Sequence, residues 1–258
     1  MNDKSPFVSV ILPVYNGANK VSKAIESVLK QAVDFELLVI DDGSIDSSAE
    51  VVESYAKVDS RVKLIMLTEN QGVAAARNKG IECSQGKYIA FVDADDSWHE
   101  NKLKYQISQM EQNNWKLTYT IFDRVSDTGK LINTISPRER ASYNNMLLNN
   151  SIATSTACIV AEVAKKLKFR QIGHEDYVFW MNSLKEIDFA YRVDSDMPLV
   201  QYAVSKSSLS SNKVKAIFWQ WKNYRYNLEL PLIKSLYCFS VYVSLAIFKR
   251  VSGKCQFL

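Results

Sequence analysis

The first hundred residues alternate between short apolar runs and longer stretches in which apolar side chains recur every three or four positions. The apolar runs are rich in β-branched and aromatic residues and predict four buried strands, over residues 7–12, 35–40, 62–67 and 88–92. The stretches between them predict helices, over about residues 18–32, 47–57 and 73–83. Strands that alternate with helices at this spacing indicate βαβ units and a mainly parallel sheet.

The pattern changes after a fourth helix, which we expect over about residues 100–112. Two apolar stretches flank the turn at Asp127-Thr128-Gly129 and predict a hairpin, over residues 116–125 and 130–134. Further on, the pattern predicts a short strand over residues 158–160 and a helix over residues 175–185. From residue 213 onward it predicts two helices separated by Pro231. We therefore expect one large domain over residues 1–212 and a helical extension over residues 213–258.

The composition supports a folded protein in a reducing compartment. Apolar residues make up 47% of the 258 residues and charged residues 23%, which suits a large core and excludes general disorder. The four cysteines lie far apart and form no CxxC pair, so reduced thiols fit better than disulfides or a zinc site. The chain enters its first apolar run without a secretory signal, and we expect a cytoplasmic protein.

Charge is distributed unevenly along the chain. From Leu199 onward nine basic residues face one acidic residue, a net charge of +8, which leaves −4 for residues 1–198 because the whole chain carries +4. The basic end also contains the uncharged stretch Ser235 to Phe248, whose fourteen residues span about 21 Å as a helix, less than the ~30 Å of a bilayer core. Upstream, Ile217 to Lys222 mixes aromatic and basic residues, as helices in a membrane interface do.

Three interpretations of this tail stay open: attachment to the inner face of the membrane, a membrane span, or packing against the domain or a second subunit in a homo-oligomer. Binding to nucleic acid fits poorly, because the body is acidic and carries no nucleic-acid motif.

Polar clusters follow three of the predicted strands. They are Pro13-Val14-Tyr15-Asn16, Asp41-Asp42-Gly43-Ser44 and Asp93-Ala94-Asp95-Asp96. Ligands of open α/β sheets bind at the carboxyl ends of the strands, so we expect these clusters to form one site. Carboxylates as close as those of the third cluster repel one another and favour a bound cation. Mn²⁺ or Mg²⁺, held by one or two carboxylates and substrate phosphates, is the expected cofactor; the alternative is that Asp95 and Asp96 cap the next helix.

A fourth cluster, Asn70 to Asn78, contains Gly72 at a predicted tight turn, three alanines and Arg77. The alanines allow the following helix to pack closely. Arg77 lies one turn into that helix, where it could reach a diphosphate, pin the acidic loops, or remain an ordinary surface arginine.

Four segments of this chain resemble, in their order, the motifs of the family 2 glycosyltransferases. They are PVYN, ELLVIDDGSID, NQGVAAARNKG and GKYIAFVDADD, and the resemblance covers about residues 7–100. It implies an inverting enzyme of bacterial surface-polysaccharide type with a GT-A (Rossmann-like) α/β fold, in which helices flank a mixed, mainly parallel sheet. The donor would be a nucleotide diphosphate sugar, a UDP-sugar first, bound by about residues 1–115. Residues 116–212 would bind a glycan acceptor, which we expect to be lipid-linked, in O-antigen, capsule or lipo-oligosaccharide synthesis.

The resemblance also implies roles at matching positions. Asp41 would bind the base of the nucleotide, and Asp93 would lie near the ribose. Asp95 would be the metal ligand, with Asp93 as a second candidate. Arg77 would organise the site, and Asp42 would be mainly structural. The full set of implied donor-binding residues is Pro13, Val14, Tyr15, Glu36, Asp41, Asp42, Arg77, Asp93 and Ala94.

The segment His174 to Trp180 resembles the family's ED-xxx-W element, which supplies the catalytic base. Asp176 is the expected base and Glu175 the alternative, since inverting transfer needs a carboxylate to deprotonate the acceptor hydroxyl. Trp180, four residues beyond Asp176, would form a wall of the acceptor site. His174 is a candidate metal or phosphate contact. The competing interpretation makes Glu175 and Asp176 helix-terminal acids and His174 a surface residue.

Two rival functions stay open at this level. A non-catalytic subunit could keep the fold and bind a nucleotide or a partner, although the acidic motifs argue for activity. A nucleotide-binding oxidoreductase is disfavoured, because no GxGxxG follows the first strand. Lys206-Ser207-Ser208 loosely matches a lid over the diphosphate and equally suits a solvated loop.

Overall fold

A computed structural model describes residues 6–204 and 213–252. It confirms the alternation predicted for the first hundred residues. The strands are β1 to β4, at Val8–Val14, Phe35–Asp41, Val62–Met66 and Tyr88–Phe91. The helices between them are α1 to α3, at Val21–Leu29, Ser48–Val58 and Val73–Cys83.

The first strand differs from its predicted end, because β1 continues through Pro13 to Val14. Strand β4 pairs with β1 from Val8 to Ile11, whereas β2 pairs with it up to Val14. At Pro13 the backbone therefore has a hydrogen-bonded neighbour on one side, an edge-like position that tolerates the missing N–H of proline.

The second half adds shorter elements. Its strands are β5 to β12, at Ser97–Trp98, Leu117–Tyr119, Phe122–Ser126, Leu131–Ile135, Arg140–Ala141, Cys158–Val160, Ala190–Arg192 and Val200–Val204. Its helices are α4 to α9, at Lys102–Asn113, Tyr143–Leu148, Ala161–Ala164, Glu175–Glu186, Lys213–Lys222 and Leu232–Ser252. A 3₁₀ turn spans Thr154–Thr156, and a π-helical turn spans Asn223–Asn227.

Two sheets organise these strands. The larger has the order β3-β2-β1-β4-β10-β6-β11-β9, and β10 runs antiparallel to both of its neighbours. The smaller has the order β5-β12-β7-β8. The expected hairpin exists between β7 and β8, but the long strand predicted before it is divided, since Leu117–Tyr119 joins the larger sheet and Phe122–Ser126 joins the smaller one.

The larger sheet has a separate apolar core on each face. Alternate residues of the central strands point to opposite sides, so that Ile11 and Leu38 belong to one core while Val10 and Leu37 belong to the other. Because β1, β2 and β4 run parallel, their carboxyl ends meet at one edge of this sheet. The acidic motifs lie at that edge.

The tail packs against the domain through part of its surface. Tyr224 is fully buried and its hydroxyl donates to the carbonyl oxygen of Leu147, while Cys238 lies in the same core as Leu147. Over the ranges 6–204 and 213–252, no helix combines the length and hydrophobicity needed to cross a membrane. The contacts of Tyr224 and Cys238 thus agree with packing of one side of the tail against the domain, and the domain boundary near residue 212 stays a prediction.

No disulfide joins the cysteines of the described residues, and the reduced state stays a prediction. Cys83, Cys158 and Cys238 are free thiols. Cys255 lies outside the described residues.

Candidate active site at the carboxyl edge of the sheet

The two aspartates that end β2 and begin the following loop have different tasks. Asp41 is buried and accepts hydrogen bonds from the backbone N–H and the hydroxyl of Ser44. Asp42 accepts from the backbone N–H groups of Gln71 and Gly72, each at 2.8 Å. Asp42 thus fastens the β2 loop to the start of α3, which is the structural role expected for it.

The loop after β1 is joined to the loop after β2. Asn16, in a left-handed backbone conformation with φ of 47°, donates its backbone N–H to the Ser44 hydroxyl, and its side-chain oxygen accepts from the N–H of Ile45. Pro13 and Val14 are buried beneath this junction, whereas the Tyr15 side chain is about half exposed. Tyr15 therefore offers a ligand an aromatic surface next to the Asp41 loop.

Glu36 does not belong to this site, and its expected place in a nucleoside pocket is wrong. It pairs in register with Ser9 near the amino ends of β1 and β2, five residues before Asp41, or about 16 Å along the strand. Its carboxylate accepts from the Ser9 hydroxyl, the Lys63 ammonium and the Gln85 backbone N–H. Burial alone would raise the pKa of Glu36, but these three donors outweigh it and lower the pKa.

Arg77 of α3 joins the acidic loop to the second half of the domain. Its side chain is 5% exposed and donates to Asp93 Oδ1 at 2.7 Å and to Glu175 Oε1 at 3.0 Å. Its guanidinium carbon also lies 5.3 Å from the centre of the Phe169 ring. Burial alone would lower the pKa of Arg77, but the charges of Asp93 and Glu175 raise it above its ordinary value. The surface-arginine interpretation is wrong, and Arg77 pins the acidic loops.

The loop after β4 is held at both ends. The backbone N–H of Asp93 donates to the Ser155 hydroxyl at 3.1 Å. The buried carboxylate of Asp96 accepts from that same hydroxyl and from the backbone N–H of Ala203 in β12. Helix α4 begins at Lys102, after β5, so Asp95 and Asp96 do not cap it. Asp96 is instead an internal anchor between the two sheets.

Asp95 is the carboxylate of this loop that remains accessible. Its side chain is 37% exposed and lies 3.8 Å from the Lys20 ammonium. Burial and the neighbouring charge of Asp93 raise the pKa of Asp95. The methyl group of Ala94 lies beside Gly17, since a Cβ built on Gly17 would be 3.9 Å from it.

Helix α7 presents two acids at its first turn. Glu175 is held by Arg77, whereas Asp176 accepts from the backbone N–H of Tyr177 at 2.8 Å and from the Thr154 hydroxyl at 3.4 Å. Burial and the charge of Asp176 raise the pKa of Glu175, against the opposing effect of Arg77. The helix-terminal position expected for both acids is confirmed, and it places them beside the β4 loop.

The carboxylates from the two halves of the domain converge on Tyr202 of β12. Burial raises the pKa of this phenol most, and the negative charges of nearby carboxylates raise it further. These carboxylates are Asp96, Asp93, Asp176 and Asp95. The structure thus brings together carboxylates that are more than eighty positions apart in the sequence.

Trp180 is placed differently from the expected acceptor wall. Its side chain is fully buried and packs edge-on against Phe91 of β4 at 5.9 Å and Phe179 at 5.0 Å between ring centres. Asp176 lies at the sheet edge, and one helical turn carries Trp180 beneath the sheet face. A buried indole cannot contact an acceptor, so its acceptor-binding role is wrong; Trp180 anchors the helix that carries Asp176.

His174 does not face the acidic loop as a ligand. Its ring lies edge-on to Trp219 of α8, with 5.6 Å between ring centres. Burial lowers the pKa of His174, against an opposing contribution from Asp176. The surface interpretation is also wrong, because its Nε2 is buried and has no hydrogen-bond partner among the described residues.

The described residues contain no group of three or more His, Cys, Asp or Glu side chains arranged to hold a metal ion. Asp93 and Asp95 nevertheless fit an ion that takes its remaining ligands from a substrate. Both supply the oxygen ligands that Mg²⁺ and Mn²⁺ prefer. Burial is the main cause of the raised pKa of Asp95, and the negative charge of Asp93 adds to it; a bound cation would offset that charge. Lys206-Ser207-Ser208, the loose match to a lid, lies outside the described residues.

Sequence reasoning missed four residues that support this site: Ser155, Thr154, Tyr202 and Ala203. No motif marks the first two, which occupy the short 3₁₀ turn before β10. For Tyr202 and Ala203 the sequence offers a strand-like pattern over residues 200–204, but this pattern does not reveal with which strand β12 pairs.

Comparison with known proteins identifies the class. The family model described as Glycosyl transferase family 2 matches residues 9–164, more than half of the chain. The chain therefore belongs to the family 2 glycosyltransferases.

Several bacterial glycosyltransferases are similar to this chain over most of its length. The putative teichuronic acid biosynthesis glycosyltransferase TuaG of Bacillus subtilis is 33% identical over 97% of this chain and all of its own. The UDP-Glc:alpha-D-GlcNAc-diphosphoundecaprenol beta-1,3-glucosyltransferase WfgD of Escherichia coli is 34% identical over 94% of each chain. An uncharacterised glycosyltransferase of Haemophilus influenzae is 36% identical over 92% of this chain and 95% of its own.

Solved structures confirm the GT-A fold class. Residues 1–349 of TarS from S. aureus, in complex with UDP-GlcNAc, superpose with a TM-score of 0.70 at 18% identity and cover 92% of this chain and 70% of that one. The mannosyltransferase PcManGT from Pyrobaculum calidifontis, in complex with GDP-Man and Mn²⁺, gives a TM-score of 0.67 at 16% identity over 98% of this chain and 77% of that one.

Removing the buried cation tests the bridge across the site. We expect Arg77→Met to lower the free energy of unfolding by about 3 kcal/mol, because it leaves the carboxylates of Asp93 and Glu175 without their partner. Chemical denaturation measures this change. Lys79→Met on the same helix removes an exposed ion pair with Glu82 and should change stability by no more than about 0.5 kcal/mol. Equal effects of both variants would contradict the bridging role.

Proposed function

We propose that this protein transfers a sugar, with inversion, from a nucleotide diphosphate sugar to a hydroxyl group of a lipid-linked glycan in bacterial surface-polysaccharide synthesis. The observation that carries the proposal is the Arg77 bridge, which brings the β4 acidic loop and the first turn of α7 into one site. Donor and acceptor chemistry need these two elements side by side. The name of WfgD, which specifies UDP-Glc and a diphosphoundecaprenol-linked sugar, supports a UDP-sugar donor and a lipid-linked acceptor.

The donor would lie along the loops after β1, β2 and β4. Tyr15 offers its exposed ring to the nucleoside, above the buried Pro13 and Val14, and Asp41, oriented by Ser44, accepts from the base. Asp93 and Ala94 lie next to the ribose in this arrangement. Arg77 is too buried to bind the diphosphate directly, and its two terminal nitrogens are paired with Asp93 and Glu175, so it orients these two acids instead.

Asp95, with Asp93 beside it, would hold the divalent cation. When bound, such a cation supplies positive charge that stabilises the diphosphate leaving group. Asp95 suits this task because its carboxylate is accessible, whereas Asp96 is committed to Ser155 and Ala203.

Asp176 would take the proton from the acceptor hydroxyl. Glu175 has its carboxylate tied to Arg77, but Asp176 contacts a weakly held hydroxyl of Thr154 and the backbone of its own helix turn. A base on the face of the sugar opposite the leaving group gives inversion, since the hydroxyl oxygen attacks C1 as the bond to the diphosphate breaks. The proton ends on the Asp176 carboxylate.

The tail would attach the enzyme to the inner face of the cell membrane. Seven of the fourteen strongly exposed large apolar side chains among the described residues belong to it. They are Phe218, Tyr226, Leu232, Ile233, Leu236, Tyr237 and Phe248. Lysines accompany them: the Lys222 ammonium lies 4.9 Å from the centre of the Phe218 ring, and Lys215 lies over Trp219. Exposed aromatic and aliphatic groups beside cations suit an anionic bilayer interface.

The metal assignment is tested by calorimetry of nucleotide binding. We expect Asp95→Ala to abolish the Mn²⁺-dependent part of the UDP affinity and to leave folding intact, because Asp95 is in a loop and makes one weak ion pair. Asp188→Asn, which changes an exposed carboxylate beyond α7, serves as the control. Unchanged Mn²⁺-dependent binding in the Asp95 variant would exclude it as a ligand. Absence of any metal-dependent donor turnover in the natural protein would instead favour the non-catalytic alternative.

The base assignment is tested by comparing two neighbouring acids. Asp176→Asn should lower turnover by about 10²–10⁴-fold with donor affinity nearly unchanged, since an amide of the same size cannot accept the proton. Glu175→Gln should have a smaller effect on turnover and a larger one on stability, because it weakens the contact with Arg77. Steady-state kinetics and denaturation separate the two effects. The reverse ranking in turnover would make Glu175 the base.

Membrane attachment is tested by co-sedimentation with vesicles that contain phosphatidylglycerol. The double variant Ile233→Glu and Tyr237→Glu should bind the vesicles at least about tenfold more weakly than the natural protein, since both side chains are exposed on the first turns of α9. Ile132→Glu, at an exposed position of β8, should bind like the natural protein. High salt should weaken binding in part, because it screens the lysines and not the apolar contacts. Equal binding of all variants would exclude this surface.

A further inference from the structure

Lys20 is a cation beside the acidic loop that no motif of the sequence marks. It directly precedes α1, and its ammonium group lies 3.8 Å from Asp95 Oδ2. Its side chain is nearly half exposed, so a ligand can reach it. The pair of Lys20 and Asp95 joins the loop after β1 to the loop after β4.

The backbone at Lys20 is fixed, whereas its side chain is weakly held. The N–H of Lys20 donates to the carbonyl oxygen of Gly17 at 2.9 Å, and the N–H of Gly17 donates to the Ser48 hydroxyl at 2.9 Å. The 3.8 Å between the ammonium group and Asp95 exceeds the length of a hydrogen bond. An ammonium group on a flexible four-carbon stem can change its partner from such a position.

The charge of Lys20 compensates part of the negative charge of the acidic loop. Burial raises the pKa of Asp95, the charge of Asp93 raises it further, and the charge of Lys20 acts in the opposite direction. A divalent cation on Asp95 would compensate the same charge. Because an ammonium group and a divalent cation repel each other when both are close to one carboxylate, the two compete for Asp95.

The diphosphate of a nucleotide sugar needs positive charge at the same edge of the sheet. Arg77 does not provide it, since its terminal nitrogens are paired with Asp93 and Glu175. Lys20 follows the loop after β1, along which the donor would lie, and its ammonium group is accessible. A lysine ammonium binds phosphate as a compact charge with three N–H donors.

We propose that Lys20 exchanges partners when the donor binds, from Asp95 to the β-phosphate of the nucleotide sugar. The proposal deepens the proposed function and rests on it, because it adds a residue that contacts the donor. Asp95 is thereby released for the divalent cation, and Lys20 adds positive charge to the departing diphosphate. The cation and the nucleotide should therefore each bind more tightly in the presence of the other, since the diphosphate accepts the lysine that the cation displaces.

Calorimetric titrations with UDP, UMP and Mn²⁺ test this exchange. In the presence of Mn²⁺, Lys20→Met should bind UDP about tenfold more weakly than the natural protein, because a charge-assisted contact with the phosphate is lost. UMP, which lacks the β-phosphate, should bind both proteins alike. Mn²⁺ alone should bind Lys20→Met about threefold more tightly, because no ammonium group competes for Asp95. A purely structural role would not change the affinities for UDP and Mn²⁺ in opposite directions.

Two further variants serve as controls, and thermal unfolding shows that each variant folds. Lys30→Met removes an exposed charge at the other end of α1 and should behave like the natural protein in all titrations. Lys20→Arg should keep most of the UDP affinity, since a guanidinium group also pairs with phosphate. Equal UDP binding by the natural protein and Lys20→Met, or an equal loss for UDP and UMP, would overturn the proposal and leave the proposed function standing. A natural protein that binds no UDP, with or without Mn²⁺, would contradict both.

Discussion

The organisation of the site depends on one buried cation. Arg77 reaches the end of β4 through Asp93 and the start of α7 through Glu175, so a single side chain fixes the distance between the donor-side and acceptor-side halves. A buried guanidinium is stable there because two carboxylates and an aromatic ring surround it. The planar group with several donors can satisfy both acids at once, a geometry that lysine does not offer. Glu175 is thereby committed to Arg77, whereas Asp176 beside it makes no contact with this cation.

The acidic residues of the site differ in function because they differ in partners. Asp42 caps backbone N–H groups, and Asp96 fastens the two sheets together through Ser155 and Ala203. Asp95 is held by one distant lysine contact, so its carboxylate stays available for a cation. Residues of the same type and in adjacent positions thus differ in whether their carboxylates are tied to the fold or left accessible, according to which N–H or O–H groups lie near them.

The tail contributes to the enzyme in two directions. Its inner side contacts the domain next to Gly173 and Leu147. Its outer side exposes apolar residues. The same two helices therefore carry both the contact with the domain and an exposed apolar side.

The amino-acid sequence by itself determined the alternating strands and helices, the edge of the sheet where ligands bind, and the acids at the end of β4 and the start of α7. Those inferences rest on local periodicity and on motifs that are continuous in the chain. The tertiary structure decided the rest. Glu36 and Trp180 are close in sequence to site residues, but the fold places both outside the site. Glu36 lies near the amino end of β2, and Trp180 lies one turn further along α7 and is buried. The partners of Arg77, 16 and 98 positions away, and the contact of the tail with the domain come from distant segments of the chain, which local sequence patterns do not encode.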